Sequence, residues 1–312
     1  MRLLQINRKR SVEEILTKIG TISSNSSKTG KVLLSQVWVE DFNKFIMIKR
    51  IVSLFIFVLL LIGLQPAEAQ CKLTNTAFAS GENIQYDLYF NFGIIRARAG
   101  TGSLTVTDAN YRGINALKTV MMLNTSGLAG NIYTVNDTLT SYVDSNLRPL
   151  LFTKEAFEGS DYSIERQSYT YNGDDITIRS LRNFNGEDVF DEVITTKECA
   201  YDYLSVLSLI RNLDFSGQKP GDRRYIQFMA GRKAVNMYVN YMGISKVRAN
   251  NGKTYEVIDI TMTILDDAFT NQKDALKASL TNDINRIPII IDTSLNIGSV
   301  RAVMKSVKGA RH

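Results

Sequence analysis

Apolar and polar residues alternate with a period of two along most of this chain. In Asn83–Phe92, Ile84, Tyr86, Leu88 and Phe90 fall on one side, and Gln85, Asp87 and Asn91 on the other. That is the pattern of a strand buried on one face. It returns in GSLTVTD, in ALKTVMMLN from Ala116, in YTVNDTLTSYV from Tyr133, and in Leu150–Phe157. Asn172-Gly173 sits between SIERQSYTY and ITIRSLRN, and Asn185-Gly186 precedes DVFDEVITT; both predict tight hairpins. Further strands follow in RYIQFMA, AVNMYVNYMG and ISKVRA, then a turn at Asn250-Asn251-Gly252 and the strand TYEVIDITMTI. ALKASLTND, RIPIIIDT and SVRAVMKSVKG close the series, with Pro288 marking an edge or a strand start. Only YDYLSVLSLIRNLDF changes period: Tyr203, Val206, Leu207 and Ile210 form a helical stripe behind Asp202, a suitable N-cap. About fourteen strands against one helix predict a mainly β fold, a large curved antiparallel sheet, half-barrel or barrel-like, with one amphipathic helix.

The stretch Met47–Gln70, MIKRIVSLFIFVLLLIGLQPAEAQ, has another character. Lys49 and Arg50 stand before the apolar run Ile51–Leu64; Pro66 breaks it, and Ala67-Glu68-Ala69 has the small-x-small form of a signal-peptidase site. The run is shorter than the about 20 residues that a spanning helix needs. The expectation is a signal peptide over 47–69, cleaved after Ala69. An uncleaved anchor and a lipidated Cys71 are the alternatives; Gln70 does not suit a lipobox. Residues 1–46, which include SSNSSKTGK and Trp38, read as an N-terminal extension ahead of the true start at Met47. The remaining domain is 70–312, and its expected place is the periplasm or outer envelope.

This division changes the charge picture. The first 69 residues hold 10 Lys+Arg and 5 Asp+Glu of the chain's 37 and 31, so 27 and 26 remain for the rest. A net charge near +1 gives no concentrated basic footprint, and nucleic acid is not expected as a partner. Both cysteines, Cys71 and Cys199, lie beyond the leader. In an oxidising compartment the pair is a disulfide candidate.

Candidate chemistry is sparse. The one histidine, His312, is the last residue, expected in a frayed tail. That removes imidazole-driven nucleophile systems and histidine zinc sites. Asp266-Asp267 and Asp174-Asp175 are adjacent acids; along a strand they would point to opposite faces, and turns suit them better. No EF-hand spacing or phosphate loop occurs, so no metal and no cofactor are expected. Asp283 and Arg286 in NDINRIP could pair across a turn, or face a ligand at the sheet rim. Tyr238 and Tyr241, with Tyr86, Tyr89, Phe90 and Phe92, could line a sugar or lipid groove or simply form core. Asp137-Thr138-Leu139 has the Asp-Ser/Thr-apolar form of a bacterial O-glycosylation motif, which makes Thr138 a candidate for modification.

Several stretches occur in a telling order. Phe78-x-x-Gly81-Glu82 leads into YDLYF, then come Gly93 and Ala99-Gly100; Asn136-Asp137-Thr138 precedes SYVD and Leu147-Arg148-Pro149. Tyr201-Asp202-x-Leu204-Ser205 opens the helix that ends in Leu209-Ile210-Arg211, and LTNDINRIPIII leads to Gly298-Ser299-Val300. From Phe78 to Lys308 the chain resembles the DUF3108 family of exported bacterial proteins, in its Bacteroidetes branch. The resemblance implies a fold and a compartment and no catalytic residue. The expected role is non-catalytic: an exported envelope protein that binds a lipid-like apolar ligand, a glycan or an envelope protein on its curved sheet. A carboxylate-dependent envelope hydrolase and a purely structural envelope component are the alternatives.

Overall fold

The computed structural model describes residues 71–92, 95–127, 130, 134–265, 276–294 and 299–312. The chain divides into two units, Met1–Ala67 and Glu68–His312. The extension, the leader with its cleavage point, Gly93, Asp266-Asp267 and Gly298 all lie outside the described residues.

The second unit is one sheet of 15 strands. Its first eight are β1 (Asn83–Phe92), β2 (Ile95–Tyr111), β3 (Ile114–Thr125), β4 (Val135–Val143), β5 (Pro149–Glu158), β6 (Asp161–Asn172), β7 (Asp175–Phe184) and β8 (Glu187–Thr196). The short β9 (Ala200–Tyr201) leads into helix α1 (Tyr203–Arg211). Then come β10 (Arg223–Ala230), β11 (Lys233–Arg248), β12 (Thr254–Leu265), β13 (Leu276–Thr281), β14 (Pro288–Ser294) and β15 (Ser299–Lys308). Spatial order runs from β8 back to β1, crosses to β15, and continues back to β9. All neighbours are antiparallel except β9 on β10. First and last strands thus meet in mid-sheet, and the two edges, β8 and β9, are separated in sequence only by residues 197–199.

Accumulated strand twist curls a sheet this wide. Side chains bridge the remaining seam. Ser180 on β7 donates to the Gly231 carbonyl at 2.7 Å, Thr196 on β8 to Gln227 Oε1 at 3.0 Å, and Arg232 covers the Phe190 ring. The result is a nearly closed barrel. The free edge β8 carries Glu187, Asp188, Asp191 and Glu192, charges of the kind that keep an open edge from pairing with other chains.

Helix α1 plugs the interior, as its sequence explains. Asp202 caps it, accepting from the Leu204 and Ser205 amides at 2.9 Å each, while Ser205 Oγ accepts the Asp202 amide at 2.8 Å. The helix is present where the 3.6 period places it, but its serines and Arg211 meet protein rather than solvent: residues Leu204–Arg211 are all buried. A helix buried all round needs internal partners for its polar groups. Ser208 returns its hydroxyl to the Leu204 carbonyl at 3.2 Å. Arg211 makes a bidentate pair with Glu82 at 2.6 and 2.8 Å and donates to the Asn285 carbonyl at 2.9 Å, with both charged side chains at 2% exposure or less.

The ends of the domain are tied to this core. Cys71 and Cys199 are disulfide-bonded, with Cα atoms 5.4 Å apart and a sequence separation of 128. In the chain-entropy model a loop of this size is worth about 5 kcal/mol. The C-terminus does not fray as its position suggests: the His312 amide donates to Asn285 Oδ1 at 2.9 Å, its carbonyl accepts from Asn285 Nδ2 at 2.9 Å, and its ring lies 3.0 Å from the Thr76 carbonyl.

Candidate functional site

The interior of the barrel is lined differently along its circumference. From β10 round to β15 the inward positions are Ile226, Phe228, Val235, Met237, Val239, Tyr241, Ile260, Met262, Ala278, Leu280, Ile289 and Met304, all buried. From β4 to β7 many are polar. Cross-strand partners in an antiparallel pair share a face. Leu139 pairs with Lys154, Lys154 with Glu165, and Glu165 with Arg182; Ser141 pairs with Phe152, Phe152 with Gln167, and Gln167 with Ser180. Two polar rows therefore cross this wall.

The inner row is satisfied. Ser141 Oγ donates to Asp202 Oδ2 at 2.9 Å, and Tyr169 donates its hydroxyl to Gln167 Oε1 at 3.0 Å. Gln167 Nε2 donates to Glu165 Oε1 at 3.3 Å, which links the inner row to the outer one.

The outer row is charged. Asp137 on β4 is 5% exposed. Its Oδ2 lies 3.7 Å from Lys154 Nζ, and that ammonium also reaches Glu158 Oε1 at 3.4 Å. Asp137 Oδ1 is buried and accepts no hydrogen bond from the described residues. Burial pushes the Asp137 carboxyl up; Lys154 opposes the shift and Glu158 adds to it. Burial likewise raises Glu165, against the attraction of Arg182 and Lys154. Tyr203, the first residue of α1, stands nearby: its ring packs on Phe152 at 5.6 Å and edge-on to Phe228 at 4.9 Å, and it is 47% exposed.

Beside this row is an apolar cavity of about 90 Å³, lined by Tyr86 and Leu88 (β1), Ser103 (β2), Met121 and Leu123 (β3), Ile291 and Thr293 (β14), and Val300 and Ala302 (β15). Glycine helps to make the room. Gly102 faces inward between Tyr86 and Leu123, and an added Cβ would stand 3.2 Å from Leu123 Cδ2 and 3.4 Å from Leu88 Cδ2. Leu123 is also the cross-strand partner of Asp137. One side chain of the cavity wall and one buried acid are thus neighbours on the same face.

The residues singled out in the sequence do not converge. Asp283 Oδ1 accepts from the Thr281 hydroxyl at 2.7 Å and from the amides of Asn285 and Arg286 at 3.0 and 3.1 Å, organising its own turn. Arg286, in the left-handed region at φ 48°, donates to the Thr281 carbonyl and to Asn282 and lies over the Phe215 ring. Tyr241 is buried in the interior, stacked on Phe215 at 5.8 Å. Tyr238, three residues earlier, takes the opposite face, where Arg223 covers it. Thr138 lies half-buried on the outer face of β4, with its neighbour Asp137 turned inward. The charged row Asp137, Lys154, Glu158, Glu165 was not among these residues. Its signal was present: Asp137 is in phase with Leu139, Ser141 and Val143, so the period-two pattern already places an acid on the inward side. No group of three or more His, Cys, Asp or Glu among the described residues could hold a metal ion.

The sequence model of DUF3108, a protein of unknown function, matches residues 85–305. A β-barrel-like protein of the domain of unknown function DUF1849 from Brucella abortus superposes with a TM-score of 0.52 at 12% identity, over 76% of this chain and 100% of that one. A protein of YmcC-like fold from Bacteroides fragilis matches with a TM-score of 0.30 at 10% identity, over 76% of this chain and 100% of that one. No curated protein matches the sequence. The chain belongs to the DUF3108 family.

Proposed function

We propose that this DUF3108 protein is an exported, non-catalytic binding protein of the cell envelope, which holds the apolar part of a lipid-like ligand inside its barrel. The observation that carries the reading is the cavity: a carbon-lined space of about 90 Å³ inside the barrel, with Gly102 packed between two of its wall residues, Tyr86 and Leu123. Apolar walls with a few convergent polar groups are the usual make-up of a small-molecule site. A space of this size takes a short stretch of alkyl chain, with the remainder of the molecule outside it. The disulfide and the leader-like segment 47–69 support an oxidising compartment, periplasm or outer envelope, reached after cleavage behind Ala69.

Two alternatives draw less support. In a carboxylate hydrolase two acids converge within about 5–10 Å on a bond to be cleaved. Here Asp137 and Glu165 are raised acids on one face, but β5 lies between their strands and carries Lys154 into the field of both. A glycan site would set aromatic faces toward the ligand, and Tyr241 is spent on Phe215.

Native mass spectrometry of the protein purified from its own envelope tests the reading. The expected spectrum shows an adduct that organic solvent extracts, and loses that adduct in Gly102→Val, whose side chain crowds Leu123 and Leu88 of the cavity wall, provided thermal unfolding shows the variant to be folded. An adduct-free protein that also takes up no alkyl compound in vitro would sink the proposal.

A further inference from the structure

The charged row and the cavity together say which end of a ligand belongs inside. We infer that the site selects an amphiphile whose head is a hydrogen-bond donor, a hydroxyl or an amine, over one with an anionic head, and that Asp137 Oδ1 is the acceptor. The inference rests on the lipid-like reading above and narrows it.

Three observations carry it. Asp137 is 5% exposed, and no donor among the described residues reaches its Oδ1; a buried acceptor left unpaired is costly. Its side chain shares a face with Leu123 of the cavity wall, so a ligand that extends from the cavity past Leu123 ends beside it. The charge nearby is already unbalanced: one ammonium, Lys154, serves the two carboxylates of Asp137 and Glu158, and Glu165 stands one strand further on with Arg182 as its partner, so three acids face two cations. An added anion would enlarge that negative excess. A hydroxyl would fill the acceptor, and an ammonium would also offset the negative excess. The other buried unpaired atoms fit less well: Arg211 Nε belongs to the Glu82 clamp, while Tyr111 OH and Glu198 Oε2 have no cavity-lining residue as a cross-strand partner.

Calorimetric titration of the whole 70–312 chain with decanol, decylamine and decanoate tests this. The expected order places decanol and decylamine about tenfold or more ahead of decanoate, the scale of one hydrogen bond to a charged group. Asp137→Leu, checked by thermal unfolding for a native fold, is expected to abolish that preference while alkyl binding persists. Asp137→Asn keeps an acceptor but not the charge, and is expected to hold decanol while weakening decylamine. Equal binding of all three compounds, unchanged in Asp137→Leu, overturns the head-group inference and leaves the cavity reading in place. Binding of none overturns the cavity reading itself.

Discussion

The wall from β10 to β15 and the wall from β4 to β7 have the same antiparallel pairing and the same alternation, yet opposite interiors. The first turns Met237, Ile260, Leu280 and Ile289 inward; the second turns Asp137, Lys154, Glu165 and Gln167 to the same space. Alternation decides which residues face inward but not what they must be. The apolar wall, packed against α1, supplies the hydrophobic stabilisation, at about 25 cal/mol per Å² buried. The polar wall gives up part of that. A domain of this size buries enough surface elsewhere to carry such a wall, and polar groups retained at that cost are where binding chemistry is found.

The largest expected effect tests where the apolar half is pinned. Glu82→Gln leaves the Arg211 guanidinium buried without its counter-charge, between Phe78 and the Asn285 carbonyl. Breaking a buried pair from one side costs about 3–5 kcal/mol. Urea unfolding should show a loss of that order with an unchanged slope. A loss under about 1 kcal/mol would mean that the clamp contributes little and that α1 is held by packing alone.

A paired substitution then compares the walls directly. Leu280, on β13, is fully buried in the apolar wall, and Leu280→Ala should cost about 2–5 kcal/mol. Ser180, on β7, is equally buried but donates only to the Gly231 carbonyl across the seam, so Ser180→Ala should cost about 1 kcal/mol. The same unfolding experiment serves both. Equal losses would show that the polar wall is as much a part of the stabilising core as the apolar one.

Most of this architecture is legible in the sequence, because alternation, the Asn-Gly turns and the 3.6 period over Tyr203–Ile210 are local signals. Closure is not. That β1 pairs β15, and that Ser180 meets Gly231 across a seam, are long-range facts with no local mark. The β2–β3 turn also hid. Its two corner residues are Arg112 at φ 51° and Gly113 at φ 84°, and arginine is an unusual occupant of that conformation. The site was missed for another reason. Within Asp137-Thr138-Leu139 the acid stands as the neighbour of a modifiable threonine, a shorter pattern that masks its phase with Leu139 and Val143. Its significance depends on Lys154 and Leu123, which only strand pairing brings beside it. Asp283 and Arg286 carry opposite charges close in sequence, which their turn explains without a ligand.

The smallest predicted effect is the most specific to the polar wall, and its sign is unusual for an acid. Acids paired in a fold generally have lowered pKa values, and their contribution is lost as pH falls. Asp137 is raised, chiefly by burial. The folded state therefore binds that proton more tightly than the unfolded chain does. Its contribution is fully present below the ordinary carboxylate range, near pH 4, and is lost as pH rises through the raised value. Asp137→Asn removes this dependence and keeps a neutral side chain of the same shape, while Lys154 retains Glu158. The variant should match wild type in acid and exceed it at neutral pH by an amount on the order of 1 kcal/mol or less. Glu165 and Asp202, raised by burial, act with the same sign in wild type and variant, and the lowered acids Asp87, Asp191 and Asp214 with the opposite one, so the difference between the two proteins is what reports Asp137. Urea midpoints taken from about pH 4 to 7 measure both. A variant that loses stability at neutral pH would mean that the Lys154 pair outweighs desolvation, and the polar wall would then belong with the stabilising half of the barrel.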